Sequence, residues 1–203
     1  MSFESISPRP VGRPREFDMH QALDAAIRIF SEKGYHGTSI AELKAEMGLT
    51  AGSIYKAFRD KRDVFVAAYD RYKQIRADLL DEALSSASTG REKIAGVVGF
   101  YAISACGETG RRGCLAIGAA VELVLSDAEI AEKVAGHNRH LVSRLEGFIR
   151  EGHQDGSIRQ NVDPAGTALA VFSYLQGVRI AGKTGELENQ MLASAEAVLR
   201  ILD

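Results

Sequence analysis

The sequence has no tryptophan, only two cysteines and only four prolines in 203 residues. Two thiols, Cys106 and Cys114, cannot build the disulfide framework of a small secreted domain, and they read as reduced groups in a cytoplasmic protein. Scarce proline beside 20 glycines excludes collagen-like and proline-rich linker classes and leaves long helices open. The longest uncharged apolar stretches, 94–100 and 115–121, stop far short of the ~18 residues a membrane-spanning helix requires, so no membrane partner is expected. An apolar secretory segment is also lacking near the N-terminus, which again points to the cytoplasm. Charge of one sign is missing too. With 25 Lys/Arg against 27 Asp/Glu the net charge is −2, which excludes a chain whose whole surface binds nucleic acid. No P-loop, no G-x-G-x-x-G after a strand, no H-E-x-x-H and no G-x-S-x-G occurs, so neither an enzyme nor a cofactor is expected.

What is present is a globular composition, 45% hydrophobic and 26% charged, with a local rather than global basic character. Residues 1–63 carry 10 basic and 9 acidic groups, and the remainder 15 and 18. Two clusters stand out: Arg9, Arg13 and Arg15 among three prolines, and Lys56, Arg59, Lys61 and Arg62 around the single acid Asp60. The first reads as an extended basic arm, or else as a solubilising tail. After it, Asp18 is a candidate N-cap, and Leu23, Ala26, Ile27 and Phe30 form the apolar stripe of a helix ended by Gly34. Thr38 or Ser39 caps a short second helix with Ile40, Leu43 and Met47 facing inward, and Gly48 supplies the left-handed residue that ends it. Thr50 caps a third, over 51–58. Helix, glycine turn, helix is the layout of a helix-turn-helix.

A fourth helix is expected from Asp60 to about Leu84, with Val64, Ala68, Tyr72, Ile75 and Leu79 as its stripe, followed by a polar break at 85–90. Five more helices are expected near 91–106, 114–124, 127–151, 163–183 and 186–202, with 107–113 read as a turn and Asp163-Pro164 as a cap followed by proline at the first helical position. No alternating strand pattern occurs. The expected fold is all-α, about nine helices, divided into an arm (1–16), a helix-turn-helix head (17–63) and a helical body for ligand binding and dimerisation (64–203).

A recognition helix entering the major groove needs small or polar residues at its N-terminal end, and here that end reads Thr50, Ala51, Gly52, Ser53. Tyr55 and Lys56 on its flank, and Lys61 at the next helix start, are placed to reach phosphates. These residues, within AIRIFSEKGYHGTSI (26–40) and AELKAEMGLTAGSIYKAFRDKRDVF (41–65), closely resemble the DNA-binding domain of the tetracycline-repressor (TetR) family of bacterial regulators. The resemblance implies an all-helical homodimeric repressor that leaves a palindromic double-stranded operator when a small molecule binds. It implies a phosphate contact for Thr38 beside Ser39 at the start of helix two, base contacts for Thr50 to Ser53, and backbone contacts for Tyr55 and Lys61. Lys56 is read as touching phosphate or base. Arg13 or Arg15 is read as reaching a minor groove or phosphate on contact. Caps and a packing aromatic in a plain three-helix domain are the competing reading of the head.

The last two helices carry stripes, Ala168, Val171, Phe172, Leu175 and Val178, then Leu187, Met191, Ala195, Val198 and Leu202, which ordinarily mean core. The resemblance assigns these two helices to the dimer interface, with Ala168, Ala170, Gly177, Ala181 and Gly182 permitting close approach. It also implies a small-molecule cavity in the body. Candidate apolar lining comprises Tyr69, Tyr72, Phe100, Tyr101, Cys114, Ile117 and Phe172, joined by Phe148 and Tyr174, and candidate polar anchors are Ser104, Glu122, Gln176 and Arg179. Few charges among them lead to an expected effector that is largely apolar or aromatic. Two alternatives stay open: a thiol-based, oxidant- or electrophile-responsive repressor using Cys114, set beside Arg111 and Arg112 at a helix start, and a DNA-binding scaffold without a small-molecule ligand. His137 and His140, spaced i, i+3, are read as solvated or core histidines, with no metal site expected.

Overall fold

The computed structural model of the chain describes residues 18–49, 52, 56–185 and 187–203. These residues form nine α-helices and no strand: α1 (Met19–Lys33), α2 (Ile40–Met47), α3 (Lys61–Ala83), α4 (Gly90–Ser104), α5 (Gly107–Arg112), α6 (Leu115–Glu122), α7 (Ala128–Asp155), α8 (Pro164–Ala181) and α9 (Glu188–Val198), with 3-10 turns at Gly182–Thr184 and Leu199–Leu202. Each start has a chemical reason. Asp18, Asp60, Asp127 and Asp163 accept backbone N–H groups at the starts of α1, α3, α7 and α8, while Ser39 and Thr89 form reciprocal capping boxes with Glu42 and Glu92. Gly48, at φ 64° and ψ 26°, closes α2 in the left-handed conformation expected of it.

Two large cores, with a smaller cluster of Ala105, Val178 and Met191, hold the described helices. In the first, α1 packs on α3, burying Phe30 and Phe65 edge to face at 5.0 Å, with Leu43 of α2 fully enclosed and Leu115, Ala119, Ile130 and Val134 of α6 and α7 joining from the body. The second lies between α4, α7 and α8 around Ile94, Val97, Leu145, Ile149, Val171 and Leu175. Helix α4 meets α7 so closely that a Cβ on Gly90 would sit 2.2 Å from the Gly152 nitrogen and the Phe148 oxygen.

The sequence expectations need three corrections. Residues 107–113, read as a turn, contain the six-residue helix α5. The stripe on α3 shifts from Leu79, 45% exposed, to Leu80, because the helix leaves the first core, which holds Val64 and Ala68, and enters the second, which holds Leu80 and Leu84. The α8 stripe Ala168, Val171, Leu175 and Val178 lies within the chain's own core, as do Met191, Ala195 and Leu202, so these side chains are not an open interface. The outward face of the same helices carries Leu169, Ser173, Gly177 and Ile180, with Leu192 beside them. No described helix is long and apolar enough to cross a membrane.

Candidate DNA-binding head and effector cavity

In the head, Gly34 at φ 77° turns the chain out of α1, and Thr38 Oγ1 then donates to Gly34 O at 2.7 Å, which buries the Thr38 side chain to 1% exposure. Ser39 follows as the actual cap: Glu42 N donates to its Oγ, and its own N–H and hydroxyl donate to Glu42 Oε2 at 2.8 and 2.7 Å. The ammonium of Lys61, at the first position of α3, donates to Tyr35 O and Thr38 O at 2.9 and 3.0 Å and lies over the Tyr35 ring. It therefore ties the turn before α2 to α3. Arg59 pairs with Asp63, and Arg62 reaches Asp127 at 2.5 Å and Glu129 at 2.7 Å on the body, so much of the basic cluster is engaged within the chain. Lys56 and Gly52 are exposed, and Gly52, Lys56 and Ala57 are helical. Arg13, Arg15, Thr50, Ala51, Ser53 and Tyr55 lie outside the described residues.

In the body, two adjoining hollows share a wall made by Lys73 and Arg76 of α3, Tyr101 of α4 and His137 of α7. The inner one, about 40 Å³, is lined by Tyr72, Cys114, Gln176 and Arg179 as well. The outer one, about 290 Å³, opens between Asp70, Ala77, Leu80, His140, Leu141 and Arg144. Of the sequence candidates, Tyr72, Tyr101, Cys114, Gln176 and Arg179 meet there. Others go elsewhere: Phe100 and Ser104 line a separate surface groove with Ile103, Tyr69 is buried in the first core with its hydroxyl unpartnered, Phe172 packs on the second core, and Ile117 is half-buried on α6. The wall is more basic than the sequence reading expects.

Lys73, Arg76 and His137 were not among the candidate anchors, although a signal existed. Tyr69, Tyr72, Lys73 and Arg76 follow i, i+3, i+4, i+7, the spacing of one helix face, so two cations interrupt an inward stripe. Lys73 Nζ meets His137 Nε2 across the wall. Burial pulls the Lys73 ammonium down to about 7, with the Cys114 sulfur opposing and Arg76 assisting. Burial, then the Lys73 charge, holds His137 down at about 3. At Cys114, burial pushes the thiol up, but the Arg179 guanidinium, the Tyr72 hydroxyl at 3.2 Å and the amides of Ile117 and Ala116 outweigh it, and the net direction is down. Tyr72 shifts up by burial and by that same sulfur.

Helix α6 joins the two regions. Cys114, its N-cap, and Ala116 line the inner hollow, while at its other end the Glu122 carboxylate accepts the amides of Tyr35 and His36 at 3.1 and 2.8 Å. Glu122, a candidate anchor for the cavity from sequence, is instead a clasp on the head.

The profile described as "Bacterial regulatory proteins, tetR family" matches residues 22–68, and that described as "Tetracyclin repressor-like, C-terminal domain" matches residues 90–197. The uncharacterised HTH-type transcriptional regulator YezE of Bacillus subtilis is 30% identical over 84% of this chain and 87% of its own. A cysteine-substituted form of the TetR-family regulator CifR, solved with a 26-bp double-stranded operator DNA, superposes with a TM-score of 0.83 at 26% identity, covering 95% of this chain and 100% of that one. FadR of Bacillus subtilis, solved with stearoyl-CoA, gives 0.68 at 24% identity, covering 91% and 97%.

Proposed function

The chain belongs to the tetracycline-repressor family of bacterial regulators, and from that premise we propose that it is a cytoplasmic homodimer that represses from a palindromic operator until a small molecule enters the cavity beside α6. The observation that carries this reading is the single short helix with one end in the hollow and the other clasping the turn before α2. A ligand that moves α6 moves Tyr35 and His36, and with them the α2 side of the helix-turn-helix. Release requires a ligand that prefers the conformation unsuited to DNA; a ~100-fold loss of operator affinity needs roughly 2.7 kcal/mol of differential binding.

In the head (17–63), the reading gives base contacts to Thr50, Ala51, Gly52 and Ser53, and phosphate contacts to Tyr55, Lys56 and the third N–H of Lys61, with Ser39 and Thr38 shaping the approach. Arg13 and Arg15 extend the footprint from the arm. In the body (64–203), the apolar outward face of α8 and α9, at Leu169, Gly177, Ile180 and Leu192, suits a second copy: small Ser173 and Gly177 between larger side chains permit close helix approach. The relatives are regulators rather than enzymes, and this chain is read likewise.

The test is selection of bound sequences from random DNA with the full chain, then a screen for compounds that release the selected operator. A palindrome with half-sites about one helical turn or more apart, and at least one releasing compound, is the expected result. Failure to enrich any sequence overturns the reading. The thiol-responsive alternative retains one supporting observation, the Cys114 sulfur between Tyr72 and Arg179; oxidants as the only releasing agents, with release lost in Cys114→Ser, would favour it.

A further inference from the structure

We propose that the effector is an organic acid whose carboxylate sits between Arg179 and Lys73, with an aromatic or apolar body in the outer hollow. This rests on the effector-gated reading above and adds its charge.

The first support is an uncompensated buried cation. Arg179 is 3% exposed and lines the inner hollow; its two terminal nitrogens donate to the carbonyls of Ser104 and Gly113, and its Nε–H has no partner. No Asp or Glu among the described residues pairs with it. A buried guanidinium without a carboxylate is costly, and an entering anion meets both the free N–H and the charge. The second support is the composition of the wall. Arg76 donates to Ser104 Oγ at 2.9 Å and stacks on Phe100, again without an acid, while Lys73 Nζ meets another base, His137, and no carboxylate among the described residues. Asp70, the lone carboxylate on the wall of either hollow, is tied by both oxygens to Lys133 at 2.9 Å. Burial, aided by the Arg76 charge, holds Lys73 near neutrality against the Cys114 sulfur, and a second anion favours its ammonium form. Size divides the ligand. The inner hollow of about 40 Å³ admits a group as small as a carboxylate, with Gln176 as a further donor, and the ring or chain stays outside against Tyr101 and Leu141.

Matched probes test this: octanoate, 3-phenylpropionate and 1-naphthoate, each against its primary amide and its amine, read by melting shift and by release of the selected operator. The acids should raise the melting temperature and release DNA, reversibly on dialysis, which a covalent thiol adduct would not do. Amides and amines should act at least about tenfold more weakly, as loss of a charge-assisted hydrogen bond implies. Lys73→Gln should weaken acid binding by about tenfold, and it carries the test if Arg179→Gln does not fold. Amides or amines acting as strongly as acids, or acids unaffected by a folded Lys73→Gln, would overturn the proposal while leaving effector gating intact. Silence of all nine probes overturns the acid assignment; a wider library that also releases nothing overturns effector gating itself.

Discussion

Replacing Glu122 by alanine removes the clasp between α6 and the head without touching the residues expected to meet DNA. The carboxylate accepts two main-chain amides, Tyr35 N at 3.1 Å and His36 N at 2.8 Å, from a half-buried position. Hydrogen bonds to a charged group contribute about 1.5–3 kcal/mol each when shielded, and partial exposure here puts the pair together near 2 kcal/mol. That corresponds to about a 30-fold change in the equilibrium for opening this contact. Amide hydrogen exchange is the direct assay: protection at Tyr35 and His36 should fall about 30-fold in Glu122→Ala, and the melting temperature by roughly 4–8 °C. Gly34→Ala provides a second route to the same contact. Its Cβ would lie 2.2 Å from Glu122 Oε1 at a backbone φ of 77°, so it should loosen the same two amides with the carboxylate still present. Unchanged protection at both amides in Glu122→Ala would refute the reasoning, and so would an equal loss across α1 and α8, which reports global unfolding instead of a local clasp.

Charge on the outward face of α8, as in Ile180→Asp, should give a folded monomer by sedimentation at micromolar concentration, whereas Leu175→Asp, at 0% exposure, should prevent folding; a folded Leu175→Asp or a dimeric Ile180→Asp contradicts the division of faces. Acid stability should depend on His137. Its native value near 3 lies below the ordinary 6.5, so the unfolded chain binds the extra proton and stability falls as pH drops from about 6.5 to 3. The groups facing it, Lys73 of α3 and His140 of α7, oppose its charge, so His137→Gln should flatten that part of the curve in urea titrations; an unaltered slope counts against it. Tyr55→Phe or Lys56→Ala should weaken selected and random DNA alike, and Lys56→Ala should also reduce the salt slope, while Thr50 or Ser53 substitutions should change which bases are preferred in repeated selection. A Lys56 variant with altered preference and an unchanged slope would make it a base contact.

Much of the head was legible because its signals are local. Asp18, Ser39 and Asp60 cap helices by reaching one turn ahead, and Gly48 ends α2 through its own backbone freedom, so none depends on distant chain. Helix α8 shows why the body was harder. It is apolar on two sides, Ala168, Val171 and Leu175 inward and Leu169 and Ile180 outward, and periodicity cannot choose between apolar faces. The cavity depends on how α3, α7 and α8 cross, which brings Lys73, His137 and Arg179 together from 107 residues of sequence. Phe100 and Ser104 lie on the neighbouring helix α4 yet turn to another groove. Glu122 reads like a polar anchor by composition, and only the return of α6 against the end of α1 shows it clasping the head.

The claim that one site controls the other is tested most directly by titrating compounds from the screen into the chain with its selected operator, following melting shift and DNA release on the same samples. The account predicts that compounds which stabilise the free chain release the operator in the same rank order, and that Glu122→Ala keeps the melting shift while losing most of the release. Compounds that bind and stabilise but leave operator affinity unchanged in the unsubstituted chain would contradict it.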